Sequence, residues 1–127
     1  MLSMNQWLLV GGLWEETRDA DDGVMCVRLL ADLDLATEGA ARMRLARLCR
    51  DEAVRCLLVM AGPDRFVGLR GLDVLIDASA RMRRRGRSLV VVDPPVSLRL
   101  MTEALRLGGQ LRVIATVRQA MSLADVA

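Results

Sequence analysis

Leu57–Leu75, LLVMAGPDRFVGLRGLDVL, is the stretch whose reading decides the fold. It opens as an unbroken apolar run, breaks at Gly62-Pro63, crosses a loop holding Gly68 and Gly71, and settles into 3.6-residue spacing. An apolar run of this length bounded by turn residues is a strand buried on both faces, and the spacing after the loop is an amphipathic helix. A buried strand that feeds a helix through a glycine-punctuated loop is the arrangement in which α/β proteins commonly place a working surface.

The same grammar extends in both directions. Upstream, Leu13–Arg18 and Val24–Leu33 read as two strands joined by the turn residues Asp19–Gly23. Ala41, Leu45, Leu48 and Cys49 then form one helical face, with Thr37 expected as its N-cap and an end near Arg50–Asp51. Downstream, Leu72, Leu75, Ile76, Ser79 and Met82 carry a second helix. Ser88–Val92 is a further buried strand, and Pro95–Leu107 a third helix with a Leu98, Met101 and Leu105 stripe, stopped by Gly108-Gly109. Leu111–Ile114 is a short last strand, and Thr116-Val-Arg-Gln119 is a capping box for a terminal helix to about Ala124. The order β-β-α-β-α-β-α-β-α implies an α/β fold, a mixed sheet with helices on one side. Residues 1–12 read as an N-terminal extension or an edge strand, and residues 13–127 as the domain.

Composition narrows the chemistry. The 127 residues suffice for one core without metals or disulfides. No apolar run reaches the length of a membrane span, and the first residues lack a signal-peptide pattern, so the expectation is a cytoplasmic protein away from the membrane. There is no histidine, lysine or tyrosine, which removes a histidine base, a Schiff-base lysine, a phenolic acid and Cys/His zinc sites. Cys26, Cys49 and Cys56 form no C-x-x-C pair and read as buried reduced thiols. A phosphate loop of the G-x-x-x-x-G-K-[ST] kind is absent. Asp64, Asp73, Asp77 and Asp93 offer carboxylates for a cation, but Asp73 and Asp77 at i, i+4 read more simply as a solvated stripe. No catalytic residue, cofactor or metal is expected.

Charge is uneven: residues 1–41 carry −6 and residues 42–127 carry +8, with RMRRRGR at Arg81–Arg87 the densest part. A nucleic-acid patch is one reading. With one phenylalanine and two tryptophans in the chain there is little surface for base stacking. The favoured reading is a helix C-terminus whose cations face the negative end of the dipole, with Gly86 as the stop.

Three segments together resemble the STAS domain of anti-sigma-factor antagonists. Leu30-Ala-Asp-Leu-Asp-Leu-Ala-Thr37 is similar to the family's G-E-L-D-L-A-T entry into its first helix. Val90–Gly109 resembles its fourth strand, third helix and glycine turn, and Thr116–Ala124 its last helix. The resemblance implies a protein-interaction module that binds an anti-sigma factor or a serine-kinase-like ATPase and regulates transcription, and it leaves a homodimer open. Some family members serve instead as scaffold subunits of transport or stress-signalling complexes. In this family a loop ending F-x-D-S-S-G-L carries a phosphorylated serine. With Gly71-Leu72 on the family's Gly-Leu, Gly68 falls at the aspartate, Leu69 at the phosphoserine and Arg70 at the second serine. No serine or threonine lies between Thr37 and Ser79. The resemblance thus places partner binding on Asp34, Thr37, Gly68, Leu69, Arg70 and Gly71, without a phosphorylation switch. The glycines themselves are expected at positive φ.

Overall fold

The computed structural model of the chain describes residues 7–19 and 22–114. Six strands form one sheet whose spatial order is the chain order. Leu8–Val10 (β1), Trp14–Asp19 (β2) and Val24–Leu29 (β3) make an antiparallel meander, and Cys56–Met60 (β4), Ser88–Val92 (β5) and Arg112–Ile114 (β6) continue it in parallel. Parallel neighbours need crossovers, and three helices supply them: Glu38–Arg50 (α1), Leu69–Arg84 (α2) and Val96–Ala104 (α3). A mixed sheet is what the element order implies; that order has five strands, and β1 is a sixth, at the edge. The expected terminal helix lies outside the described residues.

Strand alternation divides the core in two. Met25, Val27, Leu57, Val59, Leu89 and Val91 face the helices and share one cluster with Leu45, Leu48, Leu72, Leu75, Met82 and Leu98. The opposite face holds a smaller cluster of Val24, Cys26, Cys56, Leu58, Val90 and Val92. Among the described residues no helix contributes to that second cluster, so the described helices all sit on one side. The buried residues of α1 are Ala41, Leu45, Leu48 and Cys49, the four that the spacing selects. All three cysteines are reduced and buried. Burial raises the pKa of Cys49 and Cys56, which keeps them protonated and unreactive.

At the outer side of the meander, Trp14 and Glu16 project from β2 towards α1. Glu16 accepts a hydrogen bond from Trp14 Nε1 at 2.8 Å and a fork from Arg44, with Nε at 2.7 Å and the terminal nitrogen at 2.6 Å. Trp14 and Glu16 are buried, so this is a polar network inside the wall of the core. Burial by itself raises the Glu16 pKa. The hydrogen bonds from Arg44 and Trp14, with the positive charges of Arg44 and Arg18, outweigh it and hold the carboxyl below its ordinary value.

The helix ends correct several expectations. Gly86, at φ +69°, ends α2 as expected: Gly86 N donates to Arg83 O and Arg87 N to Met82 O. This is the Schellman pattern, in which a left-handed residue turns the last carbonyls back on the chain. Helix α3 ends three residues before the point predicted, and Gly108-Gly109 does not stop it. Arg106 takes the left-handed position at φ +53°, with Arg106 N donating to Glu103 O and Leu107 N to Thr102 O. The shortened helix leaves Leu105 exposed, and Leu107 packs on the core where the stripe would have placed Leu105. A side chain in this conformation costs about 1 kcal/mol relative to glycine. Arg106→Gly is therefore expected to raise the thermal midpoint by roughly 4 °C. A melt showing no rise would mean that the arginine side chain contributes as much as its backbone costs.

Candidate functional site

Two loops meet at the carboxyl ends of β3 and β4. After β3 the chain turns through Leu30–Asp32, and Leu33 forms a single parallel bridge with Val67, just before α2. Leu33 N donates to Phe66 O and Gly68 N to Leu33 O, both at 2.9 Å, while Phe66 N donates to Asp32 Oδ1 at 2.9 Å. These three bonds stitch the entry of α1 to the entry of α2. The six residues that the sequence proposes for partner binding thus lie on these two loops and the helix starts that follow them, but they do different things.

Asp34 and Thr37 are consumed inside the first loop. Asp34 Oδ1 accepts from Ala36 N at 3.0 Å and Thr37 N at 3.2 Å. Thr37 occupies the N-cap position, but its hydroxyl caps nothing in the helix: it donates to Asp32 O at 2.7 Å and accepts from Asp34 N at 3.0 Å. Asp34 closes the turn, and Thr37 braces it from behind.

The glycines also depart from expectation. Gly68 has φ −83°, and neither Gly68 nor Gly71 is among the positive-φ residues. Gly71 is required for closeness instead of conformation. A Cβ there would lie 2.5 Å from Leu33 O and 2.6 Å from Leu33 Cβ, inside contact distance. A Cβ on Gly68 would press on the ring edge of Phe66, at 3.1 Å, and reach Leu33 O only at an ordinary contact distance of 3.9 Å. Gly71 lets the first turn of α2 lie directly on the Leu33 backbone, which sets the height of the whole loop.

What this frame presents outward is apolar. Leu69, first residue of α2, is 67% exposed, Leu35 is 72% exposed and Phe66 51% exposed. Arg70 is largely exposed, with its guanidinium 3.7 Å from Glu38 in the first turn of α1. Leu35 and Phe66 escape the sequence reading because a lone apolar residue in a turn carries no periodic signal. The available hint is negative: neither belongs to the buried stripe of the helix it precedes.

Below the loops, α1 and α2 run side by side in the same direction. Arg42 lies 3.5–3.6 Å from Glu38, Asp73 and Asp77, and Arg81 lies 3.2 Å from Asp77. The Asp73–Asp77 stripe is therefore an ion-paired seam to α1 and not a purely solvated face. Neither carboxylate belongs to a metal-holding group, and no such group occurs among the described residues. Beside the loops, a crevice of about 640 Å³ opens past the ends of β3, β4 and β5 between Arg28, Asp64, Arg65 and Asp93. No helix among the described residues is long and apolar enough to cross a membrane.

A six-stranded mixed sheet with βα loops gathered at one end defines a class of small α/β domains. The family model for the STAS domain matches residues 17–120, and the chain belongs to that family. No curated protein sequence matches the chain. Among solved structures, a Thermotoga maritima protein proposed to be an anti-sigma factor antagonist superposes with a TM-score of 0.75 at 12% identity, covering 94% of this chain and 93% of its own. An anti-sigma factor antagonist from Mycobacterium paratuberculosis gives 0.71 at 18% identity, with 93% and 99% covered. A mouse anion transporter, Slc26a9, gives 0.68 at 18% identity, covering 83% of this chain and 18% of the transporter. At these identities the likeness is one of fold.

Proposed function

We propose that this STAS domain is a protein-interaction module of the anti-sigma-factor-antagonist kind, binding an anti-sigma factor or a serine-kinase-like ATPase through the paired loops. The observation that carries the reading is the group Leu35, Phe66 and Leu69, three large apolar side chains exposed on a frame fixed by backbone hydrogen bonds. Exposed apolar residues on rigid loops are what a partner can bury at little ordering cost. Solved relatives of the same fold described as anti-sigma factor antagonists support the choice of partner class.

On this reading Leu69 replaces a switch. A phosphoserine at a helix N-terminus adds close to two negative charges and can block docking. A leucine at the position aligned with it accepts no phosphate, so docking is governed by partner supply alone. Arg70 adds a positive charge beside it, held near Glu38. This reading assigns no catalysis to the loops, where the Asp34 carboxylate and the Thr37 hydroxyl are engaged in holding the turn.

A Leu69→Asp variant tests the surface. Burying a leucine contributes about 1.5–3 kcal/mol, so loss of that burial should weaken partner binding at least tenfold by calorimetry. The circular dichroism should match the wild type, because Leu69 is 67% exposed and lies outside the buried core. Wild-type affinity in the variant would move the interface off this loop. A scaffold role in a transport complex, the second reading, predicts a transporter subunit as the partner recovered with the chain.

A further inference from the structure

The arginine-rich ends of α1 and α2 do more than terminate helices. Seven arginines gather there: Arg47 and Arg50 on α1, and Arg81, Arg83, Arg84, Arg85 and Arg87 on or just after α2. Three of them are engaged with backbone carbonyls. Arg85 donates to Cys49 O at 2.7 Å, Arg87 to Asp51 O and Val54 O at 2.8 and 3.0 Å, and Arg83 to Gly109 O at 2.7 Å. Arg81 pairs with Asp77. Arg47, Arg50 and Arg84 have neither a carboxylate nor a carbonyl partner among the described residues. Helix dipoles favour a cation in the last turn, but they do not require this surplus.

The surplus borders a hollow. Between the two helices lies a groove of about 220 Å³ lined by Ala46, Cys49, Arg50, Arg81, Arg84 and Arg85. Four of the six lining residues are arginines, and two of these, Arg50 and Arg84, have no carboxylate or carbonyl partner among the described residues. We infer that this groove is a binding site for a small oligophosphate anion. Guanidinium forks match phosphate oxygens two at a time, which a lone ammonium cannot do. The volume falls below the roughly 300–1,000 Å³ of pockets that enclose drug-sized ligands, so it suits a di- or triphosphate and not a bulky molecule. No aromatic side chain lines it, so nothing there stacks on a base and the phosphates alone are read. The groove lies at the opposite end of both helices from the docking loops, and the assignment is independent of the proposed function.

Calorimetric titration of the full chain with inorganic pyrophosphate tests it, with sulfate at matched ionic strength as the comparison. Pyrophosphate is expected to bind one per chain and at least ten times more tightly than sulfate. In the double variant Arg50→Gln, Arg84→Gln its affinity should fall at least tenfold. Both side chains are exposed and unpartnered among the described residues, so the fold should survive these changes. Arg65→Gln, in the distant crevice, should bind as the wild type does. ATP should bind no more tightly than inorganic triphosphate. Equal affinity for sulfate and pyrophosphate would overturn the inference, as would full affinity in the double variant. An equal loss from Arg65→Gln would show that only diffuse charge attracts the anion. Tenfold preference for ATP over triphosphate would overturn the reading of phosphates alone.

Discussion

Glu16→Ala is expected to lower the free energy of unfolding by about 3 kcal/mol, a fall of roughly 10 °C in the thermal midpoint. The carboxylate is the common acceptor for Trp14 and for both arms of the Arg44 fork. Removing it leaves the buried indole N–H without a partner, which alone costs about 1–3 kcal/mol. Arg44 is a third exposed, so water takes up part of its lost pairing and the total stays below that of a fully buried pair. Replacing both partners, Glu16→Leu with Arg44→Met, should cost less than Glu16→Ala alone, since no charge is then stranded. Acidity provides the second readout. The folded carboxyl has its pKa below the ordinary glutamate value of 4.5. Its contribution is therefore complete above pH 4.5 and is lost as pH falls through the lower, folded value. Denaturant melts of wild type and Glu16→Gln should accordingly converge on acidification. A gap that stays constant down to that range would show that the carboxylate is not stabilised by its partners.

Gly71→Ala is expected to destabilise by about 2 kcal/mol even though alanine is the better helix former. Two effects oppose each other. Relief of glycine's backbone entropy in a helix favours alanine by about 1 kcal/mol. Against it stands a methyl 2.5 Å from a carbonyl oxygen and 2.6 Å from a Cβ, both on Leu33. The Leu33 backbone cannot retreat without lengthening its bonds to Phe66 and Gly68, so the clash costs roughly 3 kcal/mol and outweighs the gain. Gly68→Ala supplies the contrast: its only close neighbour is the exposed Phe66 ring, which can swing away. Chemical denaturation of the two variants should separate them by more than 1.5 kcal/mol. A stabilised Gly71→Ala would mean that helix and loop are not in contact.

Much of the fold is legible in the chain because burial on both faces writes long apolar runs. Ser88–Val92 coincides with its expected strand, and the four buried residues of α1 are those of its periodic stripe. The ends are harder, because they depend on single backbone torsions. The sequence offers Gly108-Gly109 as a stop, yet Arg106 accepts the left-handed turn two residues earlier. At the candidate site, spacing locates the loops but not the work of each residue. Asp34 and Thr37 read as cap and contact, whereas their oxygens are spent on loop amides and on a carbonyl. Gly71 reads as a torsion and acts as a clearance, a role fixed by Leu33, nearly forty positions away in the chain. Such long-range closeness leaves no local signature.

The pairing of α1 with α2 has a consequence for how the domain opens. The two helices are joined at their starts by the Leu33–Val67 bridge, along their length by Arg42 against Asp73 and Asp77, and at their ends by Arg85 on the Cys49 carbonyl. Neither helix can unzip from one end without breaking a tie to the other. They are expected to open as one cooperative unit of local unfolding, with their amides exchanging together and not helix by helix. A partner seated on Leu69 would therefore slow exchange as far away as Arg50, without any contact there.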